Sequence, residues 1–224
     1  RPGLQIPFQY WTSRGFAVLD VNFRGSTSFG RPYRERLNGN WGVMDVQDCI
    51  DGAQYLIDLG RVDPRRIAIR GRSSGGFTVL NALASSDVFT AGASFSGIAD
   101  LAKLAETSHK FESHYDGILL GTFDRSDPVW TQRSPINRVA EITAPLLLLQ
   151  GTADPVVPAS QAQEMYEALR ANGSAVALKL YEGEGHRFRS AVNIKDALLS
   201  ELAFYRTVWG IDTDNPVHVE IANL

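Results

Sequence analysis

The sequence predicts an α/β fold, a mostly parallel sheet with helices on both faces. Two observations predict it. Apolar runs of strand length alternate along the chain with amphipathic stretches of helix length. The strand-like runs are nearly continuous in apolar residues, as in Leu146-Leu147-Leu148-Leu149, and such runs suit strands covered on both faces.

Each element follows from its local pattern. Residues 8–14 read as the end of a helix stopped by Gly15, and residues 16–21 as an apolar strand. A loop spans residues 24–42. It leads into a helix whose Val46, Cys49, Ile50, Ala53, Leu56 and Ile57 share one face, a core stripe. Asp63-Pro64 marks a turn before a short buried strand at 67–69, and residues 75–84 have a helical composition. A strand at 91–96 follows. Residues 98–142 break the rhythm with short helical pieces, aromatics, Pro128 and Pro135, and read as an excursion over the site. The alternation resumes with a strand at 146–150 and a helix at 159–171 ended by Asn172-Gly173. A strand at 176–181 and a last helix at about 192–208 complete it, and the polar tail from Asp212 is expected to be peripheral. No repeat or linker divides the 224 residues, so one domain is expected.

Composition narrows the function classes. Apolar residues make up 44% and charged residues 21%, an ordinary globular balance. A net charge of −3 without a basic block offers no footprint for nucleic acid or an acidic membrane surface. No apolar run approaches the ~18 residues that cross a bilayer. The single cysteine, Cys49, excludes an intrachain disulfide and fits a reducing, cytoplasmic setting. The chain opens Arg1-Pro2-Gly3, with neither an initiator methionine nor a signal pattern, and the expectation is that it starts in mid-protein.

Gly71-Arg72-Ser73-Ser74-Gly75-Gly76 matches G-x-S-x-G between a short strand and a helix, the setting of the nucleophile elbow in α/β-hydrolases. Small residues two positions either side would let strand and helix approach. Centring the motif on Ser74 would put Arg72 at the first glycine position, so Ser73 is the candidate nucleophile. The motif alone also fits a glycine-rich turn with a solvated serine, and the partners decide. In this fold they come in the order Ser, Asp or Glu, His, each after a later strand. Asp154, in Gly151-Thr152-Ala153-Asp154, follows the strand at 146–150. Its place before Pro155 also suits a plain turn. His186, in Gly183-Glu184-Gly185-His186, follows the last strand and is the candidate base. His109, Glu112 and His114 match no usual zinc spacing, and His218 lies in the polar tail, so no metal is expected. No phosphate or dinucleotide loop occurs, and no cofactor is expected.

With these residues in view, the chain resembles the catalytic domain of the prolyl oligopeptidase family, in its acylaminoacyl-peptidase and dipeptidyl-peptidase-like aminopeptidase branches. The resemblance rests on Tyr10-Trp11 through Asn22-Phe23-Arg24-Gly25-Ser26, on Trp41-Gly42 with Asp45 and Asp48, and on residues 71–76. Gly151 to Asp154 with Val157-Pro158, and Gly183 to His186, complete it. It implies an α/β-hydrolase fold lacking its N-terminal strands, one of which would lie between residues 16–21 and 67–69. It implies a serine peptidase that cleaves short peptides or aminoacyl amides near the N-terminus through an acyl-enzyme on Ser73. The Ser74 N–H supplies one oxyanion donor. The second belongs to a His-Gly-Gly-Pro-like loop upstream of this sequence, and an N-terminal β-propeller is the other expected partner segment. Phe111 matches an aromatic of the substrate pocket and Val157 an aliphatic wall, while core packing explains Phe111 equally well. A carboxylesterase on the same fold, or an inactive fragment serving binding or assembly, remains open.

Overall fold

A computed structural model describes residues 5–107, 114–211 and 217–224. The helices among them are α1 (Ile6–Thr12), α2 (Arg31–Arg34), α3 (Met44–Asp58), α4 (Ser74–Ser85), α5 (Leu101–Thr107), α6 (Tyr115–Leu120), α7 (Val129–Gln132), α8 (Ala159–Ala171) and α9 (Ala191–Val208). The strands β1 (Ala68–Arg72), β2 (Ala91–Phe95), β3 (Leu146–Gly151) and β4 (Val176–Tyr181) form one sheet in the order β1-β2-β3-β4, parallel throughout.

The expected two-faced burial is present. Leu146 and Leu148 point into a cluster with Val79, Leu83, Met165 and Leu169 from α4 and α8, which also takes in Val46 and Ala53 of α3. Leu147 and Leu149 point the other way, toward Leu202, Phe204 and Tyr205 of α9 and Trp11 of α1. An unbroken leucine run is what a strand needs when alternate side chains enter two different cores. A third cluster lies apart, joining Trp41, Phe77, Leu101, Leu104, Leu119, Leu120, Trp130 and Val157. It is how the excursion packs: α5, α6 and α7 lie against Phe77 of α4 and the Trp41 loop. The loop at 24–42 itself holds α2 and a 3₁₀ turn, Glu35–Leu37.

Two readings need correction. Residues 16–21 form no ladder with any described strand, and Val18 and Leu19 are exposed at 39% and 48%. An apolar run sets the preference for extension, but a strand is fixed by its neighbours' N–H and C=O groups. The tail is not wholly peripheral. Ala222 pairs with Val176 through two backbone hydrogen bonds of 2.9 and 3.1 Å, and Val219 is buried. Val217, Val219 and Ile221 alternate with His218 and Glu220, a strand-like pattern that a reading of the tail as polar passes over.

Candidate active site

The turn from β1 into α4 is held from three sides. Ser73 has φ +56° and ψ −121°, a backbone state uncommon in residues other than glycine. Its N–H donates to the Phe95 carbonyl of β2 at 2.9 Å, and its carbonyl accepts the Phe77 N–H at 3.0 Å. These bonds fix a conformation of the kind that costs ~1–3 kcal/mol. A Cβ on Gly71 would sit 2.2 Å from the Gly75 carbonyl oxygen, so strand and helix backbones touch there. Gly75 would have open space for a Cβ, whereas Gly76 would meet Gly97 Cα at 2.6 Å. The close approach expected on the helix side thus falls on the second glycine of the pair.

Ser73 and Ser74 have different surroundings. The Ser74 hydroxyl accepts the Trp41 indole N–H at 3.1 Å, while the Ser73 hydroxyl makes no hydrogen bond among the described residues. Ser74 opens α4, and the first N–H groups of a helix have no partner inside it. An N–H is therefore available beside Ser73.

Asp154 and His186 are brought together by backbone zipping between the loops after β3 and β4. Thr152 N–H donates to the Tyr181 carbonyl at 3.0 Å, Ala153 N–H to the Glu184 carbonyl at 2.9 Å, and Gly183 N–H to the Thr152 hydroxyl at 2.9 Å. His186 Nδ1 then lies 2.8 Å from Asp154 Oδ2. The other oxygen, Oδ1, accepts the N–H groups of Val156 and Val157 at 2.9 and 3.0 Å. Burial works against the Asp154 carboxylate. The Val157 N–H, the His186 ring and the Val156 N–H outweigh it and hold the pKa below the ordinary carboxylate range. All of these residues follow the carboxyl ends of parallel strands, where open α/β sheets carry their sites. Arg72 and Arg187, the neighbours of Ser73 and His186, are near enough for their charges to interact.

Three supporting groups escaped sequence reasoning. Gln150, fully buried, donates through Nε2 to the Gly151 and Val157 carbonyls at 3.0 and 3.1 Å and approaches Asp154 Oδ2 at 3.3 Å. The buried Glu184 carboxylate accepts the N–H groups of Arg189 and Ser190 at 2.7 and 3.0 Å and the Asn193 amide at 2.8 Å. The Arg189 N–H and the Asn193 amide lower its pKa. Trp41 is the third. Trp41 and Glu184 stood in the motifs quoted above, but nothing local assigns either a partner.

Of the expected pocket residues, Phe111 lies outside the described residues. Val157 is 1% exposed within the third cluster, where it packs as core. An open pocket of about 440 Å³ lined by His114, Gly117, Phe123, Arg125 and Trp130 lies within the excursion, and none of Ser73, Asp154 or His186 lines it. Among the described residues no cluster of His, Cys, Asp and Glu would hold a metal ion, and no helix is long and apolar enough to cross a membrane. His109 and Glu112 fall outside that set.

Residues 2–212 match the sequence model of the prolyl oligopeptidase family. The chain belongs to this family. Dipeptidyl aminopeptidase BIII of Pseudoxanthomonas mexicana is 35% identical over 193 residues, which are 84% of this chain and 28% of that protein. The acylamino-acid-releasing enzyme of Rattus norvegicus is 31% identical over 210 residues, 88% of this chain and 28% of that enzyme. A puromycin-hydrolysing peptidase of Mycobacterium tuberculosis superposes with a TM-score of 0.92 at 44% identity, covering 95% of this chain and 32% of that one. A puromycin hydrolase mutant complexed with PGG gives 0.91 at 40%, with coverage of 95% and 32%. The chain thus spans about a third of the length of these family members.

Proposed function

We propose that this chain carries the acyl-transfer centre of a serine peptidase acting on short peptides or aminoacyl amides near their N-terminus. The observation that carries the reading is the pairing of a strained serine elbow with an Asp154–His186 hydrogen bond of 2.8 Å at the same edge of the sheet. Ser73 Oγ attacks the carbonyl carbon and gives its proton to His186 Nε2. Asp154, bonded to Nδ1, keeps the imidazole in that tautomer and stabilises the imidazolium. The Ser74 N–H faces the oxyanion. Collapse of the tetrahedral adduct returns the proton from His186 to the leaving amine. Water then hydrolyses the acyl-enzyme by the same route.

The puromycin-hydrolysing and aminopeptidase relatives support small aminoacyl substrates, and the PGG complex supports a short peptide. The second oxyanion donor is assigned to polypeptide outside this sequence, on a strand lying between β1 and residues 16–21. Its support is that β1 pairs on one side only among the described residues, while residues 16–21 have no ladder at all. A propeller belongs to the same proposal through the family likeness alone. Cys49, single and with a thiol made unreactive by burial, is compatible with work in the cytosol.

The test is mass spectrometry after a fluorophosphonate, with turnover of an aminoacyl p-nitroanilide. Wild type and Ser74→Ala take the adduct on Ser73, and Ser73→Ala takes none. An adduct on Ser74, or none on active wild type, overturns the assignment.

A further inference from the structure

The buried carboxylate of Asp45 plays no part in the chemistry above, yet its contacts end on the turn that presents the Ser74 N–H. Asp45 is 1% exposed at the start of α3. Its Oδ1 accepts the Gly42 N–H at 2.7 Å, and its Oδ2 lies 2.5 Å from the Thr78 hydroxyl. That hydroxyl is also 3.1 Å from the Ser74 carbonyl. From the other side Trp41, one residue before Gly42, donates its indole N–H to the Ser74 hydroxyl at 3.1 Å and packs on Phe77 with ring centroids 4.4 Å apart. Gly42 makes this wrap possible: its φ is +79°, and a Cβ there would meet the Phe77 ring at 3.0 Å. Residues 41–45 thus reach Ser74 twice, directly at its hydroxyl through Trp41 and indirectly at its carbonyl through the Thr78 hydroxyl that Asp45 holds.

Asp45 is held by backbone N–H groups in the first turn of α3 and not by an ion pair. Among the described residues no cation lies within ion-pair distance of Asp45. The Arg133 charge reaches it only from a distance, because that guanidinium donates to the Gly39 and Trp41 carbonyls at 3.1 and 3.0 Å. Cys49, one turn on, is a neutral buried thiol, and Asp48 is bonded to Arg24 instead. An unpaired buried carboxylate is costly, so it persists where its hydrogen bonds do something an apolar residue would not. Thr78 donates its one hydroxyl hydrogen to Asp45 Oδ2 at 2.5 Å and lies 3.1 Å from the Ser74 carbonyl, so Asp45 holds the hydroxyl whose other contact is Ser74. Burial raises the Asp45 pKa, and the Thr78 hydroxyl and the Gly42 N–H work against that rise.

We propose that Asp45, with Trp41, is a positioning residue that fixes the direction of the Ser74 N–H toward the oxyanion. The inference rests on the acyl-transfer reading. An oxyanion donor counts only if it points to where charge develops, so the loss on removing its support falls in kcat and leaves substrate binding alone.

The experiment compares wild type, Asp45→Ala, Asp45→Asn and Trp41→Phe in the whole protein, with active sites counted by fluorophosphonate. It reads kcat and KM on an aminoacyl p-nitroanilide and the Ki of a peptide boronate, whose tetrahedral adduct places an oxygen in the oxyanion position. Asp45→Ala is expected to lower kcat per site by about 10- to 100-fold at unchanged KM and to raise the boronate Ki by the same factor. Asp45→Asn, whose amide donates to Thr78 and whose oxygen accepts from Gly42, is expected to stay within about threefold of wild type. Trp41→Phe keeps an aromatic ring beside Phe77 but loses the indole N–H and part of the ring volume, and is expected to lower kcat about 3- to 10-fold. Unchanged kcat and Ki in Asp45→Ala, a change in KM alone, or equal damage in Asp45→Asn overturns the proposal. If Asp45→Ala does not fold, Trp41→Phe decides by the same readouts. Wild type that takes no label defeats the acyl-transfer reading itself, a result distinct from any of these.

Discussion

Replacing Gly151 by alanine tests how the Asp154–His186 bond is made. Gly151 ends β3 where the β4 loop crosses it, and a Cβ would lie 2.3 Å from the Glu184 carbonyl oxygen and 2.8 Å from that of Gly185. Ordinary contact begins near 3.4 Å, so the two backbones must part by about 1 Å, and neither is a side chain that can swing away. The Asp154–His186 bond of 2.8 Å would then stretch to roughly 4 Å, beyond hydrogen-bond range. A displacement of that size costs on the order of 10² in rate, and full loss of the aspartate's tautomer control about 10⁴ in the chymotrypsin example. Gly151→Ala is therefore expected to lower kcat about 10²-fold and to cost ~1–3 kcal/mol of stability from overpacking. The control is Gly173→Ala, at φ +83° with open space for its Cβ on the turn after α8. It bears a backbone cost of ~1–2 kcal/mol far from the chemistry and should leave kcat unchanged. The assay is p-nitroanilide turnover per titrated site, beside urea denaturation of both variants. Gly151→Ala with kcat within threefold of wild type, or Gly173→Ala losing as much activity, refutes the reasoning.

Burial pushes the Cys49 thiol up to about 12, so a thiol reagent at pH 8 should leave native protein unlabelled and react on unfolding; rapid native labelling would contradict it. Arg70→Met should cost about 3 kcal/mol in denaturant unfolding. It strands Glu201, which is 0% exposed, accepts two Arg70 N–H bonds of 2.7 and 3.0 Å, and among the described residues keeps the Tyr205 hydroxyl as its one further partner. A cost below about 1 kcal/mol would mean that Glu201 finds another partner. Asp154 has a native pKa below its unfolded value, so its stabilisation is complete above the ordinary carboxylate pKa of about 4 and is lost as pH falls through the native value. The stability difference between wild type and Asp154→Asn should thus shrink only below about pH 4; a difference constant down to pH 2 would contradict it.

What could be read from the sequence was what is encoded locally. Ala159–Ala171 and Val176–Tyr181 were legible to the residue because Pro158 and Asn172-Gly173 punctuate them. Ser73, Asp154 and His186 could be named as candidates because each follows a strand in its own short motif. Their supports were not: Trp41 reaches across the chain, and Gln150 and Glu184, which bond within nine positions, find their partners only in the folded loops. Trp41 is 33 positions from Ser74, and the Gln150 amide is committed only once the loop behind it has folded back. The glycine pair makes the same point. Gly75 satisfies the motif, but the sterically required residue is Gly76, and the atoms that require it belong to Gly97 on the far side of β2.

Residues 16–21 draw the limit most clearly. Their side chains keep a strand's two-faced alternation: Phe16 packs on Trp11, Tyr205 and Trp209 on the α9 side, while Leu19 and Val21 meet Gly52 of α3 on the other. The segment thus touches both helical layers, but residues 17–20 remain exposed and the ladder is lacking. Apolar periodicity reports which faces can be covered, and here the covering is incomplete. Backbone pairing needs a neighbour, and the outer edge of β1 has none among the described residues. An edge that leaves N–H and C=O groups unpaired between two apolar layers is a template for one more strand. A strand seated there would lie beside β1, the strand that ends in Ser73, so its own carboxyl end would reach the elbow. If the proposed second oxyanion donor lies on such a strand, its capture should be read out in kcat as well as in stability.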